Sequence, residues 1–332
     1  MPLVAHSELP AFTTLRDEGL DIVSAAQARH LDLPELRIGM LNMMPDAALQ
    51  ATERQFLRLV AAYGSAANLY VFPFALQAEH RSEISAAHID AHYSSFSSLR
   101  ERDIHALIIT GANPVTDDIA AEVFWTPLLD VVDWGRTNVQ SILCSCLATH
   151  AVLHRYFGTE RIELPQRQWG VYEHEMLEDE HPLLSGVGSP VHAPHSHRFA
   201  VSRQDMEKAG VKVLIASPEA GVHMAVSGSD SNFVFFQGHP EYDAVSLLKE
   251  YKREIQRFLT GNRTSYPEFP EHYLDKRARD QLDAYQRRVT ESEFEQETLP
   301  AFPETQLAAE LENSWSEAGR IIYRNWLGQI SD

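Results

Sequence analysis

Between residues 36 and 156, four short apolar runs alternate with segments of helical periodicity, and few folds accept that pattern. Leu36–Asn42, Leu69–Phe72, Ile104–Thr110 and Val139–Leu143 read as buried strands. Residues 47–63, Val123–Val132 and Leu147–Tyr156 read as helices. Strands separated by helices predict a mostly parallel sheet flanked by helices on both faces, an α/β fold. Residues 170–237 change character: Val171–Leu177, Val211–Ala216 and Phe233–Phe236 are strand-like with few helical stretches between them, which predicts an antiparallel extension of the same sheet. A helix is expected over Ala244–Leu259. The chain therefore divides into an irregular N-terminal segment (1–35), a core (36–262) and a charged, mostly helical C-terminal extension (263–332). The extension carries an amphipathic run from Leu307 to Trp326 and packs on the core or at a subunit interface.

Composition narrows the function classes. The 332 residues carry 28 basic and 47 acidic side chains, a net charge of −19, which disfavours nucleic-acid backbones and anionic membranes as partners. No run approaches the ~18–20 apolar residues of a membrane span. The N-terminus has neither the basic nor the apolar region of a signal peptide. The two cysteines, Cys144 and Cys146, are too close in sequence for an unstrained disulfide, which fits a reducing cytoplasm. No second Cys pair completes a zinc site, and the His192, His195, His197 spacing lacks a matching carboxylate pattern, so no metal is expected.

Two segments carry chemistry. In Val139–His150 an apolar strand runs into Cys146 and a helix begins at once, the pattern of a nucleophile elbow. The helix's free N–H groups favour a thiolate and offer donors to an oxyanion. A free cysteine is otherwise a small buried hydrophobe, which fits Cys144, still inside the strand pattern. In Phe235–Asp243 a strand ends at Gly238 and His239-Pro240-Glu241 follows in a turn. His239 can act as a general base with Glu241 holding its other ring nitrogen, or it can be a packing residue at a strand end.

Strand–Cys–helix followed some ninety residues later by Gly-His-Pro-Glu resembles the class I glutamine amidotransferase-like fold, and more closely the homoserine O-acyltransferases, usually called homoserine O-succinyltransferases. The resemblance covers most of the chain. It rests on Leu41–Pro45, Gln55–Leu59, Thr110–Ala112, Cys146–Ala148, Gly170–His174, Ala193–Ser196, Gly238–Asp243 and Asn325–Leu327. It implies Cys146 as the acyl-accepting nucleophile, His239 as base and Glu241 as its orienting partner. It also implies oxyanion donors from the Leu147 and Ala112 backbone N–H groups, and Glu250 with Arg253 reading the amino and carboxylate groups of homoserine. The i, i+3 spacing of the last two puts them on one helix face, where an exposed ion pair is the other reading.

The implied activity is transfer of an acyl group, succinyl as the family favours or else acetyl, from acyl-CoA to the homoserine hydroxyl through an acyl-enzyme on the cysteine, in methionine biosynthesis. Acyl-CoA is then a co-substrate, no cofactor is permanently bound, and the enzyme is expected to be a cytoplasmic homodimer. Three changes depart from the family pattern. Asp46 and Ala47 stand where a lysine pair is common. Val115 occupies the position that holds Gly in succinyl-using members and Glu in acetyl-using ones. His197 takes the place of an arginine that Arg198 can replace. All three touch the pocket, so retained acyl-transfer chemistry with altered substrate choice is the expectation. The alternatives are acyl transfer to serine or another hydroxy amino acid, a glutaminase or peptidase on the same fold, and a regulatory protein that kept the fold.

Overall fold

A computed structural model describes residues 2–64, 67–76, 81–228, 233–290 and 300–331. Among these residues one eleven-stranded sheet forms the spine. Its strands are β1 (Leu3–Ala5), β2 (Ile22–Ser24), β3 (Glu35–Leu41), β4 (Asn68–Phe74), β5 (Ala106–Ile109), β6 (Ser141–Ser145), β7 (Ile162–Met176), β8 (Val191–Ala200), β9 (Val211–Ser217), β10 (Gly221–Ser227) and β11 (Phe233–Phe236). The spatial order is β2-β1-β4-β3-β5-β6-β11-β10-β9-β7-β8. Pairings from β2 through β11 are parallel, and those from β11 through β8 are antiparallel. The mostly parallel α/β sheet and its antiparallel extension are those the apolar pattern predicts.

The central strands are buried along their whole length because helices cover both faces. Alternate residues divide between two cores. Ile108, Leu143 and Phe236 face one core, which includes Phe56 and Val60 of the helix Leu49–Ala61. Leu107, Ile109, Ile142 and Phe235 face the other, with Leu128 and Val132 of the helix Trp125–Asn138 and Val152 of the helix Leu147–Phe157.

The structure corrects the N-terminal expectation: residues 1–35 are not irregular. β1 and β2 lengthen the parallel sheet at its edge, and the helix Pro10–Asp17 buries Ala11, Phe12 and Leu15. Three-residue strands are too short to show the apolar run by which longer ones are read. The fourth central strand also starts later than expected, at Ser141. The preceding helix runs on to Asn138, and the Val139 N–H still donates to the Gly135 carbonyl at 3.0 Å.

At the other end, the helix Ser316–Ser331 contributes Ile322, Tyr323, Trp326, Leu327 and Ile330 to the main core. Its Trp326 Nε1 donates to Ser141 Oγ at 2.8 Å, tying the end of the chain to β6. The helix Lys276–Thr290 and Trp315 build a third apolar cluster against the helix Ser246–Leu259.

Candidate active site

Register brings the chemistry to one edge. Ile109 pairs with Cys144, Cys144 with Phe235, and Ser145 with Phe236. The carboxyl ends of β5, β6 and β11 are therefore level, and the next residues of each, Gly111-Ala112, Cys146 and Gly238-His239, emerge side by side. That is where open α/β sheets place their ligands.

Cys146 sits at φ 51°, ψ −111°, in the left-handed region that a β-substituted residue avoids. Such a conformation costs on the order of 1–3 kcal/mol and persists only when its surroundings hold it. Here the Cys146 N–H donates to the Phe236 carbonyl at 2.7 Å. Thr149 Oγ1 donates at 2.9 Å to both the Cys144 and Phe236 carbonyls. The thiol is partly exposed, whereas Cys144 is sealed in the core and burial pushes its thiol far up. Leu147 opens the helix, so its N–H has no acceptor within that helix. Gly111 crosses close by: a Cβ there would meet Cys146 Cβ at 3.3 Å.

His239 is buried beside this thiol. Its Nδ1 is 2.8 Å from Glu241 Oε1, and its Nε2 has no well-aligned protein partner. Burial opposes a charge on the ring, but the Glu241 carboxylate and then Cys146 outweigh it, so His239 is held well above the ordinary histidine value. Two further contacts hold the residue in place. Its backbone N–H donates to the Pro194 carbonyl at 2.8 Å, and Tyr242 stacks on it at 4.3 Å. Gly238 permits the approach, since a Cβ there would lie 2.6 Å from His223 Nδ1 and 2.9 Å from the Pro194 carbonyl. The C-terminal extension supports the turn: Trp315 Nε1 donates to the Tyr242 carbonyl at 2.8 Å, and Gly319 packs on Pro240.

These groups open into a cleft of about 680 Å³. Glu250, Arg253, Arg198, Val115, Ala112 and Leu147 all line it, but in unlike states. Glu250 is nearly enclosed and accepts from Tyr242 OH at 2.8 Å, Ser196 Oγ at 2.7 Å, Trp169 Nε1 at 3.0 Å and Arg167 Nη2 at 2.7 Å. Its ionic partner is thus Arg167, one strand away, and not the helix neighbour Arg253. Arg198 stands at the rim, 68% exposed, and pairs with Glu163 at 3.2 Å. Val115 is 88% exposed, and its N–H is held by Glu122 Oε1 at 2.7 Å. Asp46 holds the loop beneath the cleft: it accepts from the Ser82 N–H at 2.8 Å and lies 3.5 Å from Arg81.

Sequence reasoning missed Arg167 and Tyr242. The available signal was Arg167-Gln168-Trp169: two donors two apart on a strand face the same way, here toward Glu250. The polar composition of Ile162–Gln168 hid that strand. Among the described residues, no group of three or more His, Cys, Asp or Glu side chains is arranged to hold a metal ion. No helix among them is long and apolar enough to cross a membrane.

Behind His239 lies a nest of neutral imidazoles. His195 Nε2 is 3.0 Å from His174 Nε2, and the His195 ring lies 5.1 Å from His197 and 6.0 Å from His223. Burial lowers His150 and His174 to about 4 and His197 to about 3, and places His195 and His223 well below the usual value. Unfolded histidine titrates near 6.5, so below that pH the unfolded chain binds more protons than the folded one. Stability then falls as pH drops, by about 1.4 kcal/mol per pH unit for each such ring until its folded value is passed. Total domain stability is only about 5–15 kcal/mol. Thermal unfolding followed by near-ultraviolet circular dichroism is expected to show Tm falling steeply from pH 7 to pH 5. A flat Tm over that interval contradicts the neutral nest.

The family model described as homoserine O-succinyltransferase matches residues 2–331. The homoserine O-succinyltransferase of Methylococcus capsulatus is 46% identical over 99% of this chain and 93% of its own length. That of Allochromatium vinosum is 47% identical over 99% of this chain and 92% of its own. Among solved structures, a glutamine amidotransferase from Thermotoga maritima superposes with a TM-score of 0.50 at 11% identity, covering 90% of this chain and 99% of that one. This likeness places the fold in the glutamine amidotransferase-like group.

Proposed function

The chain belongs to the homoserine O-succinyltransferase family, and from that premise we propose that it moves a succinyl group from succinyl-CoA to the homoserine hydroxyl through an acyl-enzyme on Cys146, in methionine biosynthesis. The observation that carries this reading is His239, held between a partly exposed strained thiol and a buried carboxylate.

The steps follow from the groups present. Cys146 gives its proton to His239, whose positive charge Glu241 stabilises. The thiolate attacks the thioester carbonyl, and the oxyanion that forms is met by the Leu147 and Ala112 N–H groups. Collapse expels the CoA thiolate, which takes the proton from His239, leaving succinyl-Cys146 and a neutral imidazole. The homoserine hydroxyl then gives its proton to His239 as its oxygen attacks the acyl-enzyme. The Cys146 thiolate leaves, and the site is restored. One thioester replaces another in the first half, so the covalent state can accumulate and the kinetics are ping-pong.

Glu250 and Arg253 read the ammonium and carboxylate of the acceptor. Glu250 already has four donors, so an incoming ammonium displaces one of them. Arg167, released from Glu250, then joins Arg253 on the acceptor carboxylate. This cluster of paired charges suits the α-amino and carboxylate groups of an amino acid.

The test is product analysis. With succinyl-CoA and homoserine, the protein is expected to form O-succinylhomoserine and free CoA in equal amounts, faster than with serine as acceptor. Ammonia release from glutamine without any CoA ester, or faster succinylation of serine, contradicts the proposal.

A further inference from the structure

The cleft holds a cation that the reaction above leaves without a task. Arg161 sits where β7 begins to form, beside the loop Gly111–Asp117 that supplies the Ala112 N–H. Its Nη2 donates to the Asp117 carbonyl at 2.6 Å and the Thr116 carbonyl at 3.3 Å, and its guanidinium lies 4.3 Å from the Phe199 ring centre. Those contacts fix the plane of the group. Its Nε is buried without an acceptor, and among the described residues no carboxylate lies within ion-pair distance. Burial works against its charge, while the Glu122, Asp117 and Asp118 carboxylates and, after them, Cys146 act in its favour.

The other cations of the cleft are differently placed. Arg167 is engaged by Glu250, and Arg198 by Glu163. Lys249 and Arg253 lie on the helix that carries Glu250. Arg161 alone among these belongs to the wall of the oxyanion loop.

We propose that Arg161 is a specificity-determining residue that binds the distal carboxylate of a dicarboxylic acyl donor. The inference rests on the acyl-enzyme reading of Cys146 and adds what selects the donor. An acyl carbonyl pointed at the Leu147 and Ala112 N–H groups sends its chain along the loop they border. A succinyl group on Cys146 then carries its far carboxylate past Val115 toward the guanidinium, whose unpartnered Nε–H is left to make a charge-assisted hydrogen bond. The same cation offsets Asp117 and Asp118, which would otherwise repel an anionic acyl group. Glu122 is occupied with the Val115 and Thr116 N–H groups, and Asp118 with the Ala120 N–H. Recognition by a placed charge rejects an uncharged isostere far better than a pocket of matching volume does.

Butyryl-CoA is that isostere: a methyl group replaces the carboxylate at the same chain length. The experiment measures single-turnover acylation of Cys146 by intact-protein mass spectrometry, with succinyl-CoA and butyryl-CoA in parallel. The wild-type protein is expected to prefer succinyl. Arg161→Met is expected to lower the succinyl-to-butyryl preference by about 10- to 100-fold, and Arg161→Lys, which keeps the charge and loses the fork, to lower it less. A preference unchanged in both variants, including an equal loss with both donors, overturns the proposal. If neither donor acylates the wild-type protein, the acyl-enzyme reading fails, and that result is separate from a failure of Arg161 alone.

Discussion

Cys146→Ala is expected to abolish acyl transfer, lowering kcat/KM by about 10⁴-fold or more while leaving the protein folded. Nucleophile, base and orienting carboxylate act as one unit, so removing the nucleophile costs nearly as much as removing all three. What survives is the oxyanion position and the cleft, which alone bind without forming the covalent state. The fold should tolerate the change. The thiol is partly exposed, the backbone at this position is held by the Cys146 N–H to the Phe236 carbonyl, and alanine retains that bond. The measurement is steady-state turnover with succinyl-CoA and homoserine beside the circular dichroism spectrum. Residual activity within tenfold of wild type, in folded protein, places the chemistry elsewhere.

Glu241→Gln is expected to lower kcat/KM by about 10³- to 10⁴-fold with little change in shape. Burial disfavours the charged His239 ring, and the Glu241 carboxylate is the strongest influence acting against it. With a neutral amide at that place burial prevails, and the histidine value falls from well above the ordinary one toward the neutral-ring side. The amide can also present its N–H₂ to Nδ1 and select the wrong tautomer, as the equivalent change does in other triads. The limb of the pH–rate profile that reports His239 is therefore expected to move to lower pH. A profile that keeps its shape and position, whatever the rate, contradicts the assigned partnership of Glu241 with His239.

The parts of this protein that read clearly from sequence are those whose signal is local. Four largely apolar runs announce parallel strands because a strand covered on both faces needs no alternation. The strand–Cys–helix and Gly-His-Pro-Glu segments are legible because strained turns demand particular residues within a few positions. Their juxtaposition is a matter of register, Ile109 beside Cys144 beside Phe235, which no single segment encodes. β1 and β2 were invisible because three residues make no pattern. Arg167 and Arg161 were invisible for a different reason: they precede or interrupt a polar strand whose face is turned to a cleft, so the strand lacks the apolar marking by which strands are found. Glu250 was found, but its partner was not, since spacing along a helix proposes Arg253 whereas packing across the sheet supplies Arg167. The histidine nest likewise draws on three separate strands and a helix, His174, His195 with His197, His223 and His150, and only the folded chain assembles it.

The account stands on the sulfur of Cys146 accepting the acyl group. Mixing the protein with succinyl-CoA alone, then weighing the intact chain and its peptides, tests this most directly. The expected result is a gain of one succinyl mass on the peptide that contains Cys146, lost again when homoserine is added. A protein that turns over both substrates while its mass never changes, or that carries the acyl group on a different side chain, contradicts the account.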